Sequence, residues 1–186
     1  MTVVRFTATA LYRAPAARVF DVLTDWPRQS GWVPATVVHR LPGPVAAPGE
    51  RFVGRTGLGP LAFDDDMLVT GRRAPAAGRA GRVEIVKTGR LLGGSVSIGV
   101  RDVGDGWTQV DWTEHVVPRP ALLAWAAAAA GPLGALAGRW GFELVLRAAR
   151  ADVEDAEDAG DAGDAGDAGD AGDVVGGGGG AVPPRA

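Results

Sequence analysis

The residues best placed to do chemistry lie on one short run, Val110-Asp111-Trp112-Thr113-Glu114-His115-Val116. Side chains alternate across a strand, so Val110, Trp112, Glu114 and Val116 share one face and Asp111, Thr113 and His115 the other. The apolar set should turn inward and carry Glu114 with it. A carboxylate in apolar surroundings is costly unless paired or protonated, and there it can act as an acid, a base or a ligand anchor. Glu114 is thus the candidate catalytic residue. The plainer alternative, which a lone carboxylate more often follows, is that it meets an arginine or sits at a rim as a satisfied polar group.

Other chemistry finds less support. His39 and His115 stand on different strands without a second His two or four residues away, and zinc needs three or four convergent ligands. Of the run Asp64-Asp65-Asp66, only Asp64 and Asp66 could face one cation, and surface charge beside a turn explains them more simply. No metal site is indicated. Ser30, Ser95 and Ser97 are the only serines, and none lies in a G-x-S-x-G elbow. Gly57-Leu58-Gly59-Pro60-Leu61-Ala62 has the G-x-G-x-x-A spacing of a dinucleotide fingerprint, but an acidic strand follows where a helix N-terminus should meet pyrophosphate. No cofactor is indicated. There is no cysteine, which removes disulfides, thiolate metal sites and a cysteine nucleophile and leaves a reducing cytoplasm as the default.

The elements that must position these residues can be traced along the chain. Val3 to Tyr12 alternates as a half-buried strand, and Pro15 then opens a helix whose Ala16, Val19, Phe20 and Leu23 form one apolar stripe. Asp25-Trp26-Pro27 starts a second short helix that Gly31 ends. Six β-rich runs follow: Thr36 to Leu41, Arg51 to Thr56, Phe63 to Arg72, Arg82 to Thr88, Leu92 to Val103 and Trp107 to Val117. Gly104-Asp105-Gly106 is the hairpin turn between the last two. A closing helix is expected from Pro132 to about Arg150, with Leu133, Ala137, Trp140, Leu144, Val145 and Ala148 on its apolar side. By parity Phe52, Gly54 and Thr56 point inward on one strand, and Phe63, Asp65, Met67 and Val69 on the next.

Charge divides the chain in two. Residues 1–150 carry a formal +6 and residues 151–186 carry −9. The latter hold five Ala-Gly-Asp triplets and five consecutive glycines, a composition that cannot bury enough apolar area to offset its ordering and should form a disordered acidic tail. The arginines of residues 1–150 are scattered rather than clustered, as on a solvated surface and not as in a nucleic-acid patch. Residues 1–6 lack signal-peptide character, and the uncharged stretch 121–137 is interrupted by Gly131-Pro132, so a soluble chain without stable membrane insertion is expected. Nothing in the sequence specifies an oligomeric state.

A strand, two short helices, a six-stranded meander and a long closing helix is an α+β order that resembles the helix-grip, or START-like, fold. The segments Ala14 to Trp26, Trp32-Val33-Pro34, Gly49-Glu50-Arg51-Phe52, Asp65-Asp66-Met67 and Trp112-Thr113-Glu114 resemble the polyketide cyclase/dehydrase and lipid-transport superfamily, also called SRPBCC. The resemblance implies a curved antiparallel sheet of about seven strands gripping the last helix, with a pocket between them for an apolar small molecule. By position it puts Trp26 and Trp32 near the mouth, Phe52, Met67, Trp112 and Glu114 on the sheet wall, and Trp140 and Leu144 on the helix wall. Three functions remain in view: an apolar-ligand binder, a polyketide cyclase or dehydratase using Glu114, and an interaction protein acting through its acidic tail.

Overall fold

In the computed structural model, which describes residues 3–119 and 121–154, the elements follow the expected order. Strand β1 (Val4–Tyr12) leads into helix α1 (Ala16–Leu23) and a 3-10 helix (Trp26–Gly31). Strands β2 (Thr36–Arg40), β3 (Arg51–Thr56), β4 (Phe63–Arg73), β5 (Gly81–Lys87), β6 (Leu92–Gly104) and β7 (Trp107–Pro118) come next, with a single 3-10 turn at Gly59–Leu61. Helices α2 (Ala121–Ala148) and α3 (Arg150–Glu154) close the chain.

All seven strands form one antiparallel sheet in the order β1-β7-β6-β5-β4-β3-β2. The meander runs from β2 to β7, and β1 adds to the outer side of β7. Register shifts at Val69/Gly71 and Asp102/Gly104 insert residues into β4 and β6, and such bulges increase twist and bend a sheet into a concave surface. The β6–β7 turn places Gly104, Asp105 and Gly106 all at positive φ, as the sequence requires of it.

The helices fill the concave side. Val19, Phe20 and Leu23 of α1 are buried, and α1 lies over β5, β6 and β7. Phe20 fits there because Gly81 has no side chain; a Cβ at that position would lie 2.9 Å from the Phe20 ring and 2.7 Å from Pro75. The Arg72 guanidinium stacks over the Phe20 ring, 4.8 Å from its centroid. The buried Tyr12 hydroxyl donates to the Leu146 carbonyl at 2.7 Å and ties the end of α2 to β1.

Two expectations need correction here. The closing helix does not start at Pro132: α2 is continuous from Ala121 through Gly131-Pro132, 28 residues or about 42 Å. A proline in a helix removes one backbone donor, and the fixed contacts of α2 against β1 downstream outweigh that loss. The domain also does not stop at residue 150. Helix α3 turns back onto the fold, with Val153 fully buried, Trp32 Nε1 donating to Asp152 Oδ2 at 3.0 Å and Arg18 donating to the Val153 carbonyl. The acidic repeat expected to be disordered, residues 155–186, lies outside the described residues.

Candidate functional site

A cavity of about 210 Å³ opens between the concave sheet, the 3-10 helix and α2. Its wall is built by strand alternation. Phe52 and Gly54 on β3, Asp65 and Met67 on β4, Ile85 and Lys87 on β5, Val96 on β6, and Trp112 and Glu114 on β7 all point inward. Gln29 contributes from the 3-10 helix and Val33 from the turn that follows it, and among the described side chains of α2 Phe142 is the one that lines it. Phe142 is held between Phe6 and Trp112, with ring centroids 5.3 and 5.2 Å away.

The polar feature of this otherwise apolar wall is an ion triad. Lys87 Nζ lies 2.5 Å from Asp65 Oδ2 and 2.8 Å from Glu114 Oε1, and all three residues are buried. Register explains the meeting. Met67 faces Lys87, which faces Gly94, while Ile85 faces Val96, which faces Glu114. Asp65 on β4 is therefore a diagonal neighbour of Lys87 on the adjacent strand, while Glu114 lies on β7, one strand further on, and the long lysine side chain reaches across β6 to it. The lane to Glu114 passes Gly94, which carries no side chain to block it. Gly94 has φ 120°, and a Cβ there would fall 1.8 Å from the His115 carbonyl oxygen.

Burial and charge oppose each other in the triad. Burial presses the Lys87 ammonium towards neutrality, but Glu114 and Asp65 together outweigh it and raise its pKa above that of an ordinary lysine. For Asp65 burial is the larger influence: it raises the carboxyl above the usual aspartate range despite the pull of Lys87, and the neighbouring Glu114 adds to the rise. Two buried atoms of wall residues, Asp65 Oδ1 and Trp112 Nε1, have no hydrogen-bond partner. Buried polar groups are paired in the great majority of cases, so these two are exceptions, as are Trp26 Nε1 and an Arg72 guanidinium nitrogen away from the cavity. Other polar wall groups are engaged: Thr36 and Thr56 share a hydroxyl hydrogen bond of 2.9 Å, and Gln29 Nε2 donates to the Leu23 carbonyl.

Of the residues singled out from sequence, Phe52, Met67, Trp112 and Glu114 line the cavity. The other four do not. Trp26 is fully buried behind the wall, stacked on Phe52 with centroids 4.3 Å apart, so it supports the wall from outside. Trp32 is drawn to α3 by its bond to Asp152. Trp140 and Leu144 face outward, 63% and 62% exposed. The phase of α2 is the reason: Gly138, Phe142, Val145, Leu146 and Ala149 follow its inner face, and Gly138 abuts Phe6 so closely that a Cβ would lie 2.7 Å from the ring. Glu50, in one of the segments carrying the family resemblance, is structural: it pairs with Arg40 at 2.7 Å and accepts from the Ala46 amide.

Lys87 is the residue of the cavity wall that sequence reasoning missed. Two signals were present. It is the only lysine among nineteen Lys and Arg residues, and it continues the inward series Val83, Ile85, Lys87. A compact ammonium on a flexible four-carbon stem can point its rotatable donors at two carboxylates at once.

The concave sheet under a long helix is shared with known structures. The fold matches a START superfamily protein from Mycobacterium smegmatis with a TM-score of 0.61 and 13% identity, covering 81% of this chain and 97% of that one. It matches the Zhui aromatase/cyclase of Streptomyces sp. R1128 with a TM-score of 0.56 and 16% identity over 83% and 98% of the two chains. A hypothetical protein from Helicobacter pylori gives 0.64 and 12% over 81% and 88%. No curated protein sequence matches. The helix-grip, START-like fold is thereby established, and no helix among the described residues is long and apolar enough to cross a membrane. With residues 3–154 matching its sequence profile, the chain belongs to the polyketide cyclase / dehydrase and lipid transport family.

Proposed function

We propose that this protein binds a small, largely apolar molecule in the sheet–helix cavity, with the molecule's one polar end against the Asp65–Lys87–Glu114 triad. The observation that carries the reading is a cavity whose mostly apolar wall includes one buried ion triad, Asp65–Lys87–Glu114. Apolar lining with a few placed polar groups is the usual build of a ligand site. The family's description, which joins cyclase, dehydrase and lipid transport, supports hydrophobic ligands as a class.

Native mass spectrometry of the full chain from its own host, followed by denaturing extraction, tests this directly, alongside tryptophan-fluorescence titration with apolar probes. A co-purifying molecule, or saturable quenching lost in Gly54→Val, is the expected outcome. A Cβ at Gly54 would meet Met67 and Thr36 at 3.6 and 3.8 Å, ordinary contacts, so a valine there fills the cavity without clashing with the wall. Binding equal in the two proteins would place the ligand elsewhere.

A second reading, acid–base chemistry on the bound molecule, draws support from one feature. Asp65 lines the cavity and its carboxyl has a pKa raised chiefly by burial, a property of a carboxyl that exchanges a proton with a ligand. Glu114, the candidate from sequence, is held by Lys87, which suits it to fixing the ammonium. Turnover that survives Glu114→Gln but not Asp65→Asn is the outcome expected of this reading.

A further inference from the structure

The proposal that follows rests on the cavity-binding reading and names the class of molecule the cavity takes. We propose that its ligand is a small organic cation, a single apolar ring carrying an ammonium group on a short arm, and that Glu114 receives the ammonium.

Charge gives the first argument. The wall holds two carboxylates, Asp65 and Glu114, and among the described residues one cation, Lys87, which lies 2.5 Å from the first and 2.8 Å from the second. In its fully ionised form the triad therefore carries one negative charge without a counter-charge, in a buried setting where that is costly. A ligand cation supplies the missing charge. A ligand anion would add a second negative charge beside an ammonium that two carboxylates already share, and a neutral compound leaves the imbalance as it is.

Access gives the second. Asp65 Oδ2 is taken by Lys87 and its Oδ1 is sealed from the cavity, so Asp65 acts on a ligand through its charge and not by contact. Glu114 differs. It holds Lys87 through Oε1, while its Oε2 makes no hydrogen bond among the described residues and is not one of the sealed polar atoms, so that oxygen keeps accessible surface on the side where Glu114 lines the cavity. An ammonium has only donors to offer, and a hydrogen bond from it to a carboxylate oxygen is of the strong, charge-assisted kind.

The rest of the lining gives the third. Phe52, Phe63, Trp112 and Phe142 border the same space, and the faces of aromatic rings attract a cation, most of all where water is excluded. Volume sets the size. The cavity is about 210 Å³, between the ~150 Å³ that holds benzene and the ~300–1,000 Å³ of drug-sized ligands, so it fits one ring with a short aminoalkyl arm.

The test is a calorimetric titration of the full chain at pH 8 with four probes of one shape, benzylamine, benzyl alcohol, toluene and benzoate, and with 2-naphthylmethylamine as a larger cation. Benzylamine should bind at least about tenfold more tightly than the alcohol or toluene, the usual worth of a hydrogen bond to a charged group, and benzoate should give no heat. Gly54→Val, which fills the cavity, should abolish the benzylamine signal. In Glu114→Gln the Asp65–Lys87 pair is neutral, so the amine's advantage over the alcohol should fall to about twofold or less. Circular dichroism establishes that this variant is folded, and if it is not, the wild-type series with Gly54→Val decides alone.

Benzyl alcohol, toluene or benzoate binding as tightly as benzylamine overturns the proposal, as does an amine advantage unchanged in folded Glu114→Gln. Benzylamine binding that survives Gly54→Val overturns it too, because the amine then sits on the surface. Binding of 2-naphthylmethylamine without benzylamine overturns the size limit while leaving cavity binding intact. Silence from all five probes overturns the cavity reading itself.

Discussion

The two ends of one concave sheet are finished differently. Where α1 and α3 cover it, Val83, Ile98, Val100 and Val110 are fully buried together with Phe20, Leu23, Ala149 and Val153 in the core. Towards the other end the inward positions of the same strands carry Lys87, Val96, Trp112 and Glu114, and they surround open space. The contrast comes from what the covering elements supply. Helix α1 offers large side chains in the stripe Val19, Phe20 and Leu23, whereas α2 comes down on β1 through Gly138 and, among its described side chains, sends Phe142 alone into the gap. Hollowness here is produced by small residues on the cover and at Gly54 of the wall, with no weakening of the sheet.

This comparison predicts unequal responses to truncation. Phe20→Ala removes a fully buried ring from the packed end and should destabilise by about 3–5 kcal/mol. Met67→Ala at the hollow end removes a partly buried side chain that already borders empty volume, so less contact is lost, and about 1 kcal/mol is expected. Urea denaturation of both variants measures the difference. Equal costs would mean that the cavity closes up in solution.

Lys87→Met attacks the hollow end through its charge. Removing the ammonium leaves Asp65 and Glu114 buried without a cation, and breaking a buried ion pair from one side costs about 3–5 kcal/mol. Replacing all three, as Asp65→Leu, Lys87→Met and Glu114→Leu together, should restore most of that stability or exceed the wild type while abolishing discrimination between polar ligands. Such a result would mark the triad as a device for recognition kept at no gain in stability. A triple variant no more stable than the single one would make the triad a structural element.

The pH dependence should separate the members of the triad. The carboxyl of Asp65 titrates above its ordinary value in the folded chain, so between 3.8 and that raised value the folded state binds the extra proton. Stability contributed by this group therefore falls as pH rises through that window. Asp65→Asn should flatten this fall, which urea midpoints across the acid range would show. Lys87 has the same sign in the alkaline range: its contribution is complete below 10.5 and is lost as pH rises through its raised value. An unchanged acid slope in Asp65→Asn would shift the uptake of that proton to another group.

Period-two patterning made the sheet legible, because a strand with one wet face writes its burial into every second residue. Phe52, Asp65, Met67, Trp112 and Glu114 were all read onto the correct face in this way. Helix α2 was not, since Gly, Ala and Leu occupy most of its positions and its hydrophobicity hardly varies around the axis; the helical spacing of Leu133, Ala137, Trp140 and Leu144 makes an apolar stripe as good on paper as the buried one through Phe142. The triad was only half legible. Parity turns single residues inward, but the meeting of three strands at Lys87 depends on register, and register is fixed by bulges and by turns whose offsets single strands do not encode.

Trp140 offers the finest test of the comparison between cover and wall. It lies on the outer face of α2 with Leu133, Leu136 and Leu144, all of them exposed, two residues from Phe142 and on the opposite side. Trp140→Ala should change stability by no more than about 0.5 kcal/mol, the usual range for an exposed position, and leave ligand affinity unaltered. Trp112→Phe should keep the fold and remove part of the cavity wall, lowering affinity for a ligand in the cavity. If Trp140→Ala instead weakened binding as Trp112→Phe does, α2 would have to rotate on its axis when the cavity fills, presenting to the ligand the face it now turns to solvent. Glycine contacts argue against such a rotation: turning the helix would carry Gly138 away from Phe6 and bring in a side chain where a single Cβ already lies within 2.7 Å of that ring.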